Sequence, residues 1–259
     1  MYTELSLSGG GMYGFAMLGA LKHVHLEPIT HIAGTSVGSL IGALLCVVSV
    51  DSIINLITQK HIDLESYNID ETIEHCGLLN QERVLCHIQG VFKDTLHVDN
   101  PTFQQLYDYS KKKLTISGTN LAKQAVEWFS VDTTPTMSVL TALKISMTIP
   151  FVFHKVEYNG TVYADGGLVA MYPHSALHEP QSTQLCVYVS LQPHSIRSVF
   201  DYAYAAIWSA IKVQEPNHPN TIWIGDTSHY SLLSDAREVR EKLLNSGDQA
   251  GSDYFKKRS

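Results

Sequence analysis

The chain is short of the features that mark several large protein classes. Basic side chains are in the minority: 18 Lys and Arg stand against 25 Asp and Glu in 259 residues, a net charge of −7. That balance argues against general nucleic-acid binding, which needs a basic face. It also gives no overall attraction to an anionic membrane, so any peripheral membrane contact must come from a local apolar or basic patch. The four cysteines, Cys46, Cys76, Cys86 and Cys186, form no C-x-x-C pair. Neither a metal site nor a disulfide framework is expected, and a reducing cytoplasm is the expected compartment. The most apolar stretch, Val37 to Val50, is too short to cross a bilayer. The opening Met-Tyr-Thr-Glu leads into a strand-like run with no signal-peptide pattern. There is no internal repeat and no low-complexity segment.

What is present reads as one α/β domain. Hydrophobic residues make up 44% of the chain and charged residues 17%, a globular balance at a length that supports a full core. Strand-like runs at Thr3–Ser8, Ile29–Ala33, Leu114–Asn120, Ala125–Val131, Gln184–Leu191 and Thr221–Gly225 alternate with helix-like ones. The helical runs are Met12–His25, Val37–Val50, Asp51–Thr72, Asn80–Phe92, a segment opening at Pro101, Met137–Met147, Ile196–Val213 and Leu232–Leu244. Alternation of this kind predicts a mostly parallel sheet covered by helices on both faces. Residues 1–244 are expected to form the domain. Residues 245–259 are polar and glycine-spotted, the composition of a disordered tail. The Ile196–Val213 segment and the tag Phe255-Lys256-Lys257-Arg258 are the two places where a membrane could be met. Core packing and a solvated terminus are the plainer readings of each.

Three motifs carry chemistry. Gly9-Gly10-Gly11-Met12-Tyr13-Gly14 follows the first strand and can present free backbone N–H groups to an anion. Its dinucleotide-binding reading requires an acidic residue about 20 positions on, at the end of the next strand. That strand ends instead in Ala33-Gly34-Thr35-Ser36, and Glu27 precedes it. Gly34-Thr35-Ser36-Val37-Gly38 lies between a strand and an apolar helix, the setting of a nucleophile elbow; the plain alternative is a helix-capping serine. Glycines flank Ser36 because such a turn is crowded. Asp165, in Tyr163-Ala164-Asp165-Gly166-Gly167, sits at a strand tip before a glycine turn. Taken alone it reads as a turn-forming Asp-Gly pair.

The order GGGxxG, GxSxG, DGG on this spacing resembles the patatin-like phospholipase family. Gly118-Thr119-Asn120-Leu121, Ser146-Met147-Thr148-Ile149-Pro150-Phe151 and Pro173 extend the resemblance over about residues 3 to 190. The resemblance implies a three-layer patatin-like fold with Ser36 as nucleophile and Asp165 as its base, without a histidine. It further implies an oxyanion hole of the Gly9, Gly10 and Gly11 amides, no metal and no cofactor. Gly14, Gly34, Gly38, Gly166 and Gly167 are then the structural glycines of the motifs. Three positions depart from the family pattern: Tyr13 replaces an Arg of the glycine loop, Ile145 replaces a small residue, and Met171-Tyr172 replaces an Asn pair.

The implied activity is hydrolysis of fatty-acyl esters of phospholipids or related acyl lipids. A soluble carboxylesterase acting on short esters and a catalytically silent lipid-binding relative are the alternatives. A Ser-Asp-His triad would draw its histidine from His174, His178 or His194, but Ser36 comes too early in the strand order for that architecture. The size leaves little room for a regulatory domain, so a protein activator, if one exists, is expected to act in trans.

Overall fold

The computed structural model describes residues 1–59, 75–190, 202, 205, 206, 209, 216–225 and 237–258. Its centre is an eight-stranded sheet of β1 (Glu4–Leu7), β2 (His31–Gly34), β4 (Lys113–Asn120), β5 (Ala125–Ser130), β7 (Val156–Tyr158), β8 (Thr161–Asp165), β9 (Gln184–Val189) and β10 (Thr221–Ile224), in the order β10-β9-β1-β2-β4-β8-β7 with β5 paired to β4. The run from β10 to β4 is parallel; β5, β7 and β8 add antiparallel pairings. A separate parallel pair joins β3 (Gly77–Leu79) to β6 (Phe151–Phe153). Every residue of β1, β2 and β9 is buried, as expected of parallel strands covered on both faces.

The helices are α1 (Gly14–Leu21), α2 (Val37–Leu45), α3 (Val50–Gln59), α4 (Glu82–Leu96), α5 (Phe103–Ser110), α6 (Val139–Ser146), α7 (Gly167–Ala170) and α8 (Arg237–Lys256). They complete a three-layer α/β architecture, the class the sequence indicates. Several boundaries move. The helix expected from Met12 begins as a 3-10 turn, Gly11–Tyr13, before α1. The run Val37–Val50 breaks after Leu45, and α3 restarts at Val50. The helix assigned to Pro101 starts at Phe103, because Thr102 caps it in a reciprocal box with Gln105. Most of Ile196–Val213, the later part of Asp51–Thr72 and residues 232–236 lie outside the described residues.

The tail is the clearest correction. The final helix does not stop at Leu244 but runs to Lys256, lying along α1. Its glycines are contact points. A Cβ on Gly247 would run into the Ala16 carbonyl, and one on Gly251 would meet the Ala20 carbonyl at 2.7 Å. Gly19 answers from α1, where a Cβ would strike the Leu244 carbonyl. The two helices thus touch backbone to backbone, burying area that no apolar periodicity in 245–256 announces. Beyond α8, Arg258 hydrogen-bonds the Asn220 side chain at 2.7 Å and the Pro219 carbonyl at 2.6 Å, and stacks over Tyr254. Arg258 thus ties the tag to the loop before β10, while Lys256, Lys257 and Arg258 remain exposed to solvent.

Candidate active site

Ser36 follows β2 and caps α2 with φ 51° and ψ −123°. A left-handed φ in a residue with a Cβ is uncommon and strained, and it holds the side chain on the outside of a sharp turn. The flanking glycines are dictated by space. A Cβ at Gly34 would lie 2.5 Å from Ser39 Cα, and one at Gly38 would enter the Leu7 and Ser8 carbonyls. Gly14 meets the elbow from the other side, where a Cβ would sit 2.5 Å from Val37 Cγ2. The turn is tied down by the Ser36 N–H, which donates to Ser146 Oγ at 2.9 Å, and by Ser39 Oγ, which donates to the Ser36 carbonyl at 2.6 Å. Ser36 also stands at the positive end of α2, where a developing negative charge is favoured.

The register of β4 explains how Asp165 reaches this elbow. Strand β2 runs parallel to β4 and ends with Gly34 opposite Ile116. Strand β8 runs antiparallel to β4 and ends with Asp165 opposite Gly118. Because β5 occupies the other edge of β4 from Thr115 to Asn120, β2 and β8 share one edge and approach each other end to end. Their tips stop two positions apart on β4, which brings the residues that follow β2 against the last residue of β8. Ser146 then joins the two turns: its Oγ accepts from the Ser36 N–H, and its carbonyl accepts from the Gly166 N–H at 3.3 Å. The Asp165 N–H is held by the Thr148 carbonyl at 2.7 Å.

Asp165 is 5% exposed and Ser36 6%. Burial pushes the Asp165 carboxyl up to about 7, against the lowering effects of the Gly167 N–H and the Ser36 hydroxyl. The Gly167 N–H donates to Oδ1 at 2.7 Å, while Oδ2 is buried with no hydrogen-bond partner among the described residues. No hydrogen bond of ordinary geometry joins the two side chains at rest, although the serine is close enough to influence the acid. Contacts of this kind commonly tighten only when substrate is bound. An unpartnered buried carboxylate oxygen beside a strained serine is a group placed to receive a proton.

The glycine loop departs from expectation at one residue. The Gly9 N–H donates to the Met171 carbonyl at 3.1 Å, so it is already committed. Gly10 (φ 151°) and Gly11 (φ 54°) adopt backbone conformations closed to most L-residues, and neither N–H has an internal acceptor among the described residues. Of the three loop amides, those of Gly10 and Gly11 are the ones left available to a ligand. Tyr13, where the family pattern has an arginine, is fully buried in the core. Ile145 packs over Gly118, its Cγ2 lying 2.6 Å from where a Cβ would stand.

The histidines go elsewhere. His178 stacks on His31 with ring centroids 5.7 Å apart, and its N–H donates to Glu4 at the starting ends of β1 and β2, the far end of the sheet from Ser36. The His174 ring lies among Tyr188 and His218. His194 lies outside the described residues. Among the described residues no histidine hydrogen-bonds Ser36 or Asp165. The sequence reading missed the linking roles of Ser146 and of Thr35, whose Oγ1 donates to the Ala170 carbonyl at 2.6 Å. Ser146 was marked only by its place in the Ser-Met-Thr-Ile-Pro stretch.

Residues 5–178 match the model of the family described as patatin-like phospholipase. The chain belongs to that family. Two curated relatives come from viruses. The protein R571 of Acanthamoeba polyphaga mimivirus is 37% identical over 180 residues, covering 66% of this chain and 59% of its own. A protein of Invertebrate iridescent virus 6 named probable lipid hydrolase 463L is 31% identical over 179 residues, covering 66% and 62%. The chain thus spans about 60% of the length of these relatives. Among solved structures, VipD from Legionella pneumophila superposes with a TM-score of 0.65 at 17% identity, over 99% of this chain and 67% of that one, a likeness of fold. The patatin-like fold accounts for the head-on meeting of β2 and β8, which places the elbow and the Asp-Gly-Gly turn at one point.

Proposed function

We propose that this patatin-like chain hydrolyses fatty-acyl esters of phospholipids or related acyl lipids, with Ser36 as nucleophile and Asp165 as its base. The observation that carries the reading is the convergence of a strained, buried serine and a buried carboxyl of raised pKa. A serine hydroxyl is a weak nucleophile until a base takes its proton. With its carboxyl near 7, Asp165 is matched to proton transfer at neutral pH far better than an ordinary aspartate. Ser36 Oγ attacks the ester carbonyl while its proton passes to Asp165. The carbonyl π electrons move onto oxygen, where the Gly10 and Gly11 N–H groups receive the charge; one such donor is worth about 3 kcal/mol in the transition state. The intermediate collapses, the C–O bond to the alcohol breaks, and Asp165 protonates the departing alkoxide. Water, deprotonated by the same carboxylate, then attacks the acyl-enzyme; the bond to Ser36 Oγ breaks, Asp165 returns the proton to the serine oxygen, and the fatty acid is released. Each step uses only groups of this chain. The name of the viral relative, probable lipid hydrolase, supports lipid esters as the substrate class.

The test is fatty-acid release from mixed phospholipid micelles. Wild type is expected to release fatty acid, and Ser36→Ala and Asp165→Asn, both folded, to lose about 10³-fold or more of that rate. Release that survives in Asp165→Asn would remove the aspartate from its role.

A further inference from the structure

Met171 stands where the family pattern has an asparagine, and its contacts reach each part of the site. The seven residues from Asp165 to Met171 form a short strut. At its start is the Asp165 carboxyl. In its middle, α7 is fixed to the elbow by Thr35, whose Oγ1 donates to the Ala170 carbonyl. At its end, the Met171 carbonyl accepts the Gly9 N–H at 3.1 Å. The side chain of the same residue turns back into the site. Its Sδ lies 2.7 Å from the position a Cβ on Gly9 would occupy, and its Cε lies 2.8 Å from the corresponding position on Gly167. Ser36 Cβ lies 3.5 Å from that same Gly9 position. The thioether is buried and anchored from behind by Tyr172, Cys186 and Tyr188.

Resting on the hydrolase reading above, we propose that Met171 is a positioning residue that braces the glycine loop against the Asp165 turn and so sets where the Gly10 and Gly11 N–H groups point. The backbone half of the brace fixes Gly9; the side-chain half fills the space beside Gly9 and Gly167. Thioether contact is apolar and shape-dependent, so a side chain of similar volume can replace it while a truncated one cannot. Oxyanion donors act through geometry, and a shift of about 1 Å in such a group lowers rate by about 10²-fold. Substrate binding, which uses surfaces beyond the loop, is affected far less.

The experiment compares Met171→Ala and Met171→Leu with wild type, using Met171→Val in place of the alanine variant if that one does not fold. Turnover of a micellar phospholipid is expected to show kcat lowered about 10- to 100-fold in Met171→Ala with KM within about threefold of wild type. Met171→Leu is expected to stay within about threefold in both. Amide hydrogen exchange at Gly9, whose N–H donates to the Met171 carbonyl, needs no turnover to be read and is expected to speed up about tenfold or more in Met171→Ala and to stay near wild type in Met171→Leu. A truncated variant with unchanged loop exchange, or with KM raised and kcat intact, would overturn the brace. A wild type that cleaves no ester and takes no fluorophosphonate label would remove the hydrolase reading instead, and the exchange measurement would still decide whether Met171 holds the loop.

Discussion

At the scale of single residues, the proposed role of Asp165 as base ties activity to its protonation state. Its carboxyl is raised to about 7 by burial, from 3.8. The base form is the carboxylate, so kcat/KM for a neutral ester is expected to climb through about pH 7 and level off above it. A profile already flat at pH 5 would show that no such group limits the reaction. The same shift acts on stability. A carboxyl whose folded pKa is raised binds its proton more tightly in the folded state, so its contribution weakens as pH rises from about 4 to 7. Above pH 7 the folded protein holds a buried charge. Asp165→Asn removes that charge and retains an oxygen for the Gly167 N–H, so its melting temperature at pH 8 is expected to exceed that of wild type. The advantage, about 1–3 kcal/mol, should shrink as pH falls and vanish below about 4. A loss of activity joined to a gain in stability is the signature of a residue held against its own preference for function. Ser36 shows the same tension in its backbone: φ 51° serves the elbow and disfavours the fold.

Among elements, the pairing of α1 with α8 shows how small residues build an interface. Where two helices meet through glycines, their backbones approach more closely than branched side chains permit. Gly247→Ala puts a methyl group into the Ala16 carbonyl and forces the helices apart. The expected loss is about 1–3 kcal/mol in a urea melt. Asn245→Ala, two residues earlier on the exposed face, is expected to change stability by about 0.5 kcal/mol or less. Equal effects at the two positions would mean that α8 is not docked through its glycines. The wider lesson concerns composition. Asn, Ser, Gly, Asp and Gln in 245–253 suggest disorder when counted, because counting cannot show that the glycines recur on one helical face. The turn at Ser36 is legible in the opposite sense: the elbow needs only local geometry, and strand, G-x-S-x-G and apolar helix are contiguous in the chain.

Taken as a whole molecule, the protein closes on itself at its last helix. Tyr2 near the start and Tyr254 near the end share a hydroxyl contact of 2.8 Å, and Arg258 reaches both Tyr2 and the loop before β10. Removal of residues 245–259 is therefore expected to expose the α1 face and to lower the melting temperature by several degrees or abolish cooperative unfolding. Limited proteolysis would then cut the shortened protein within α1 far faster than the full chain. An unchanged melt would return these residues to the status of a free tail.

Some of this was written in the sequence. The parallel strands β1, β2 and β9, the elbow at Ser36, and the glycine loop each depend on residues within about six positions of one another, and short-range sterics leave them few alternatives. The alternation of strand and helix fixed the α/β class for the same reason. The meeting of Ser36 with Asp165 depended on what lies far apart in the chain. It arises because β8 runs antiparallel on the same edge of β4 as β2, which brings together Gly34 and Asp165, the tips of two strands far apart in the chain, and no local pattern encodes that. The commitment of the Gly9 N–H to Met171, the raised pKa of Asp165 and the docking of α8 follow from that assembly as well. Hydrogen-bond partners, burial and backbone contact are properties of what the folded chain places side by side, and only the tertiary structure decides them.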